Sequence, residues 1–414
     1  MRIYGEILKQ PQLRFDYSST YAVDYYSKRG LRSYGPYDSS QFEKSVIRCG
    51  IIYPKNLTKL KQILIEGLTK GEGNYAGFQS LFQIHLSFEE ERTWDNGREE
   101  QILQNIAKRE LDIIFIILRS KTNLYGTIKK ILLGNGIPCQ VILAEKLQRT
   151  FGRQWILENI SLATYAKIGG TPWVVANPMQ ENQLILGISR AKDKSKRYLI
   201  GFVTLFTQDG DFILMHLKAP VIRWEEYVEG ITKLISEAIM EYKKLKGIPN
   251  HIIVHLHKRP GHGEPEAIEN ALKSVEEEIP YVLLHLNEYS NFRLFDTGHQ
   301  SFIPQKGLKV NLNRNESILL IDGRIGEKRH KIGIPRVLDI RRDKRSTLSS
   351  DYFPDLVKQV YDFAHVNWRG FNAAAIPITI NYSKLIARMV AEIGADSWNQ
   401  IIASGKLRDK AWFL

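Results

Sequence analysis

Eight residues, Leu111-Asp112-Ile113-Ile114-Phe115-Ile116-Ile117-Leu118, form an almost unbroken apolar run. A strand with one wet face alternates apolar and polar residues, so a run without alternation suits a strand covered on both faces, as in a parallel sheet. The run holds Asp112 and is far shorter than the ~20 residues that a membrane-spanning helix needs. Its surroundings agree with a parallel sheet. Val46 to Tyr53 reads as a strand, and after Pro54 a helix carries Leu57, Leu60, Leu64 and Leu68 on one face. Phe82 to Phe88 alternates like a second strand, a helix follows around residues 98–109, and another starts near Tyr125. Strands alternating with helices predict a doubly wound, Rossmann-like α/β unit, with ligands bound beyond the carboxyl ends of the strands, where the loop Arg119 to Leu124 would lie.

A helix from about Arg153 to Lys167 ends at Gly169-Gly170, a helix-stop signal. The pattern then changes. Leu184 to Ile188, Tyr198 to Phe206 and Phe212 to Leu217 read as strands, the last two joined through Gln208-Asp209-Gly210 as a hairpin. A long amphipathic helix over 224–246 is closed by Gly247, and strand Ile252 to His257, a helix within 264–278 and strand Tyr281 to Leu286 follow. Three antiparallel strands, then helix, strand, helix, strand, is the order of an RNase H-like domain. The expected fold class is α/β: residues 1–40 as an irregular arm rich in Tyr, Ser and Arg, 41–167 as the Rossmann-like unit, and 168–414 as the RNase H-like unit.

The 58 Lys plus Arg against 45 Asp plus Glu leave a formal net charge of +13, which favours capture of polyanions such as nucleic acids. The bland reading of the same excess is solubility. Two cysteines, Cys49 and Cys139, cannot build a Cys-based zinc site. The N-terminal MRIYGEILKQ has no apolar segment of signal-peptide type, so a cytoplasmic location is expected.

RNase H-like nucleases clamp two divalent ions with carboxylates, one on the first strand and one at the end of the strand after the first helix. The first strand here, Leu184 to Arg190, holds no acid, and neither does His251 to His257. Ser189 and His257 are poor substitutes as ligands for hard Mg²⁺. His255 and His257 would share a strand face, with His262 close in sequence, but no Asp, Glu or Cys completes a zinc set. Polar packing or phosphate contact is the ordinary reading of such a pair.

Several blocks resemble prokaryotic Argonautes. Tyr165-Ala166-Lys167-Ile168-Gly169-Gly170-Thr171-Pro172-Trp173 is similar to the entry of their PIWI domain, and Asn367-Trp368-Arg369-Gly370-Phe371 with Ile376 to Leu385 resembles its last block. The ending Ala411-Trp412-Phe413-Leu414 resembles the family's buried C-terminus, and Leu31 to Tyr37 an N-terminal block of short archaeal members. The length leaves room for MID (41–167) and PIWI (168–414) domains only, the short class. On this resemblance the catalytic acids of active relatives would fall on Ser189, His257 and Lys384, which implies a copy that binds without cutting.

The resemblance also implies a pocket for the 5′-phosphate of a guide strand, made by Tyr125, Lys129, Gln140 and Lys167. Tyr125 and Lys129 are one helical turn apart and would share a face. Mg²⁺ or Mn²⁺ held by Gln140 and the carboxylate of Leu414 would bridge to the phosphate. Arg369, Arg341 and Arg342 are candidates for backbone phosphates, although the run Arg336 to Arg345 also reads as a solvated basic loop, and Trp368 and Phe371 as core. The implied partners are a short guide (RNA favoured, DNA also used in the family), a complementary target strand (DNA favoured), and a separately encoded effector, which could be membrane-linked, in defence against invading nucleic acid. Two rivals stay open: an active guide-directed endonuclease, and a basic nucleic-acid binder that uses no guide.

Overall fold

The computed structural model describes residues 4–94, 97–178, 182–192, 199–217, 220–257, 260–275, 277–325 and 333–414. The N-terminal residues are not an irregular arm. They form β1 (Gly5–Ile7), β2 (Leu13–Arg14), β3 (Val23–Asp24) and α1 (Ser27–Tyr34), and they are built into the rest of the molecule. The apolar face of this segment is the reason: Leu13, Phe15, Ala22 and Leu31 are all buried in the main core.

The Rossmann-like unit comprises β4 (Val46–Pro54), α2 (Thr58–Thr69), α3 (Phe78–Phe82), β5 (His85–Trp94), α4 (Glu99–Ala107), β6 (Ile113–Leu118), α5 (Leu124–Gly134), β7 (Cys139–Leu143), α6 (Ala144–Gln148) and α7 (Arg153–Lys167). Its sheet runs β5-β4-β6-β7, all parallel. The apolar run is β6, and its side chains divide between two cores. Ile113, Phe115 and Ile117 join the main core, whereas Ile114, Ile116 and Leu118 pack with Leu103, Ile106, Ile128 and Leu132 of α4 and α5. Both faces are thus covered. The expected strand Phe82 to Phe88 is displaced: Phe82 ends α3, buried with Phe78 and Leu81, and the strand begins at His85.

After β8 (Val174–Val175) come β9 (Gln183–Lys192), β10 (Leu199–Phe206), β11 (Phe212–Leu217), α8 (Trp224–Lys246), β12 (His251–His257), α9 (Glu264–Lys273) and β13 (Tyr281–Asn287). β9, β10 and β11 are antiparallel neighbours, and β12 and β13 run parallel to β9, so the RNase H-like order is present. Tyr198 lies outside the described residues. β14 (Leu308–Asn313), β15 (Glu316–Leu319) and β16 (Leu338–Arg342) widen the sheet to nine strands, in the order β1-β14-β15-β16-β13-β12-β9-β10-β11. The basic stretch Arg336 to Arg345 is therefore not a loop: half of it is β16, held between β13 and β15. The helices α10 (Phe353–Phe363), α11 (Ile378–Ile393) and α12 (Ala395–Ser404) complete the chain. Helix α11 crosses β9 at Gly187, where a Cβ would sit 2.8 Å from the Thr379 carbonyl oxygen. Only glycine permits that approach.

The N-terminal segment touches both units: its strands join the RNase H-like part, and Lys28 and Arg32 of α1 pair with Glu158 of α7. β1 adds to β14 at one edge of the nine-stranded sheet, while β2 pairs with both β3 and β8. Asp38 accepts from the Tyr165 hydroxyl of α7 at 2.5 Å and from the Thr171 backbone N–H at 2.9 Å. The Thr171 hydroxyl in turn donates to Asp211 in the β10–β11 hairpin at 2.9 Å. Burial raises both acids, Asp38 to about 6 and Asp211 to about 7. Among the described residues no helix is long and apolar enough to cross a membrane.

Candidate nucleic-acid interface

Helix α5 and strand β7 bring the anticipated phosphate residues together. Tyr125 and Lys129 face one way on α5, with the Lys129 ammonium 5.6 Å from the centre of the Tyr125 ring. The same ammonium donates to the Cys139 carbonyl at 3.1 Å. Gln140 lies on β7 rather than in a loop; its side-chain oxygen accepts a short hydrogen bond from Lys167 of α7. Lys129 and Lys167 are each only 2% exposed, and among the described residues no carboxylate pairs with either. Burial first, and the nearby cations Lys129 and Arg369 after it, hold the Lys167 ammonium well below the usual lysine range. Against its burial, Lys129 is instead held above the usual lysine range by the neighbouring Cys139 and Tyr125. A second buried ammonium at Lys167 without a carboxylate is costly unless an anion joins it.

Beside them lies a cavity of about 490 Å³. Tyr125, Gln140, Arg369 and Leu414 all line it, as the sequence suggests, together with Lys146, Ile156 and Asn159. Lys146 was not anticipated; its place on the wall depends on α6, a short helix with no strong pattern in the sequence. A second cavity of about 470 Å³ lies at the carboxyl ends of β4 and β6, where the loop after Leu118 was expected to shape a site. Lys55, Trp94, Arg119 and Thr122 line it, but none of the four anticipated phosphate residues does.

The motif blocks interlock next to the 490 Å³ cavity. The indole N–H of Trp173 donates to the His365 carbonyl at 3.1 Å and that of Trp368 to the Trp173 carbonyl at 3.0 Å. Phe371 stacks on Trp173 at 5.9 Å. Trp368 and Phe371 are therefore packing residues, and they present Arg369, exposed between them, to the cavity. Arg341 is exposed on β16. Arg342 instead donates to its own chain, at the Ser346 and Leu348 carbonyls.

The positions that lack acids also converge. Ser189 is buried on β9, His257 ends β12, and Lys384 projects from α11. His257 and Lys384 meet on Glu288, a residue that sequence reasoning missed. The His257 Nε2 lies 3.1 Å from a Glu288 oxygen, and the Lys384 ammonium donates to both oxygens at 2.8 and 2.6 Å. The hydrogen bond from His257, with the Lys384 charge, pulls Glu288 down to about 2, so it is ionised across the physiological range. His255 points elsewhere: it is buried, bonded to the Thr379 hydroxyl at 2.8 Å, and pushed by burial down to about 3. His262 is exposed on the loop before α9, and no group of three or more His, Cys, Asp or Glu among the described residues is arranged to hold a metal.

A parallel Rossmann-like sheet joined to an RNase H-like sheet, with a cationic cavity beside their junction, defines a class of nucleic-acid-handling proteins. The chain belongs to the Piwi family, whose Piwi domain matches residues 112–322. It is similar, at 24% identity over 94% of its length, to a protein argonaute of Cereibacter sphaeroides, of which it spans 56%. At the same identity it is similar to a Piwi protein of Archaeoglobus fulgidus, with 93% of each chain covered. Its fold matches the Clostridium butyricum Argonaute bound to a guide DNA and a 19-mer target DNA, with a TM-score of 0.75 at 16% identity, over 95% of this chain and 54% of that one. At that identity the match speaks for the fold.

Proposed function

We propose that the chain captures the 5′-phosphate of a short guide strand in the 490 Å³ cavity and uses the guide to recognise a complementary strand without cutting it. The observation that carries this reading is the pair of buried lysines, Lys129 and Lys167, without a carboxylate partner behind a cavity lined by Tyr125, Gln140 and Arg369. A phosphate dianion supplies the missing charge, and Tyr125 offers a ring for the first base. The test is to purify the protein from its host and sequence the bound nucleic acid. A narrow length distribution with 5′-phosphates supports the reading, and random fragments overturn it.

Mg²⁺ or Mn²⁺ is part of this proposal in a restricted form. The chain offers the Gln140 amide oxygen, which already accepts from Lys167, and the Leu414 carboxylate. Two ligand groups are too few for a hard divalent ion, so the remaining ligands would come from bound phosphate and water. The residues fit an ion that arrives with the phosphate. Loss of 5′-phosphate preference in a chelator, or on extension of the chain beyond Leu414, is the expected outcome.

The absence of cleavage rests on Ser189, His257 and Lys384 standing where ligand carboxylates are needed, and on Glu288 being engaged by two of them. One observation favours the rival endonuclease: Glu288 and Asp322 line a common cavity of about 340 Å³. Incubating loaded protein with a matched target and Mg²⁺ or Mn²⁺ separates the two, since site-specific products would establish cleavage. The output is then passed to a separately encoded effector in defence against invading nucleic acid, with RNA as the favoured guide and DNA as the favoured target. Co-purification of a neighbouring gene product would support that step.

A further inference from the structure

Phe151 is 86% exposed and Trp155 is 49% exposed, and they sit side by side on the rim of the Rossmann-like unit. Their rings meet edge to face, with centroids 5.8 Å apart and planes at 88°. The arrangement is built by the backbone. Gly152, the residue before α7, has φ +80°, and a Cβ there would lie 3.0 Å from the Trp155 ring. The tight turn folds Phe151 back over Trp155 in the first turn of the helix. A water-facing pair of large aromatic rings held in a fixed relation is unusual for a surface with no ligand.

Helix geometry links the pair to the cavity. Trp155 and Asn159 are one turn apart on the same face of α7, and Asn159, Ile156, Ile160 and Ala163 line the cavity. The pair is thus the outward continuation of the cavity wall. Two cations flank it, Lys146 on the cavity wall and the exposed Arg149, whereas Arg153 is already neutralised by Glu72 at 2.8 Å. Aromatic faces with cations around them suit a strand that presents bases and phosphates together; an apolar protein surface gains nothing from the cations.

We propose that Phe151 and Trp155 form a stacking shelf for a nucleobase near the 5′ end of the strand whose phosphate occupies the cavity. This inference rests on the phosphate reading above. The phosphate fixes the strand end, and the shelf fixes the direction in which the strand leaves.

The test uses the full chain and DNA or RNA oligonucleotides that carry 2-aminopurine at the first, second or third position, with a 5′-phosphate or a 5′-hydroxyl. In the unaltered protein one position should be quenched more than the other two. The double variant Phe151→Ala/Trp155→Ala should lose that quenching and bind about tenfold more weakly, in the range of one lost stack. The dependence of affinity on salt should not change, because no phosphate contact is removed. Trp155→Phe should restore most of the quenching. Both residues are exposed, so an unchanged melting temperature is expected and confirms that the variant is folded. Affinity within twofold, or quenching unchanged in the double variant, overturns the shelf and leaves a protein-binding role for the pair. Failure of the phosphate reading looks different: the unaltered protein would not prefer a 5′-phosphate over a 5′-hydroxyl, whatever the shelf does to 2-aminopurine.

Discussion

Two groups of cations in this molecule are treated in opposite ways. Around Glu288, the Lys384 ammonium is neutralised within the protein, and His257 lies at hydrogen-bond distance from the same carboxylate. Beside the 490 Å³ cavity, Lys129 and Lys167 are buried, and among the described residues their hydrogen-bond acceptors are neutral oxygens, the Cys139 carbonyl and the Gln140 amide. A self-neutralised group has little left to offer a ligand. An unneutralised one stores a cost that an anion relieves on binding. The difference supports the proposal that the cavity captures the ligand while the cluster is internally satisfied.

The largest effect that could break this contrast is at Lys167. Lys167→Met should weaken binding of a 5′-phosphorylated strand about 10- to 100-fold, the range for one hydrogen bond to a charged group. It should leave the melting temperature equal or higher, because a buried, desolvated amine is replaced by an apolar side chain of similar length. A stability loss with unchanged affinity would mean that Lys167 only holds Gln140 in place. At the cluster the effect should reverse. Glu288→Gln takes the charged partner from Lys384 and should cost roughly 1–3 kcal/mol of stability, with phosphate affinity unchanged. Its pH signature follows from the sign of the shift. Glu288 sits at about 2 against an ordinary 4.5, so its contribution is present above about 4.5 and lost as pH falls towards 2. Acid unfolding over that window should be shallower in the variant.

A finer test concerns protons. Because Lys167 is held well below the usual lysine range, a phosphate that favours its charged form should draw up to one proton from solution on binding. Titration calorimetry in buffers of different ionisation enthalpy would detect it, and Lys167→Met should abolish it. The smallest effect distinguishes two neighbouring arginines. Arg341→Ala should lower affinity for a long duplex by about threefold and reduce the salt slope by about one. Arg342→Ala should leave the slope alone and lower stability, since its guanidinium holds the turn at Ser346 and Leu348.

What the sequence revealed follows from the range of the interactions involved. β6 was legible because burial on both faces is written in consecutive residues, and α7 because it combines a long helix with a glycine stop. The missing acids were legible because strand ends can be counted. Glu288 was not, because its partners lie 31 and 96 residues away and meet it only once α11 has crossed β9. The N-terminal strands were missed for a similar reason. β2 and β3 have two residues each and show no pattern of their own; they pair with each other, and β2 alone pairs with Val174–Val175.

The pairing of β1 with β14 has a consequence for how the molecule is made. Gly5 lies opposite Val310, so β1 waits during synthesis for a partner some three hundred residues downstream. The Rossmann-like unit uses nearer contacts and can form during synthesis, whereas the edge of the large sheet closes only after most of the chain has emerged. Assembly should therefore show a fast phase that removing residues 4–8 leaves intact, and a slow phase that this truncation abolishes.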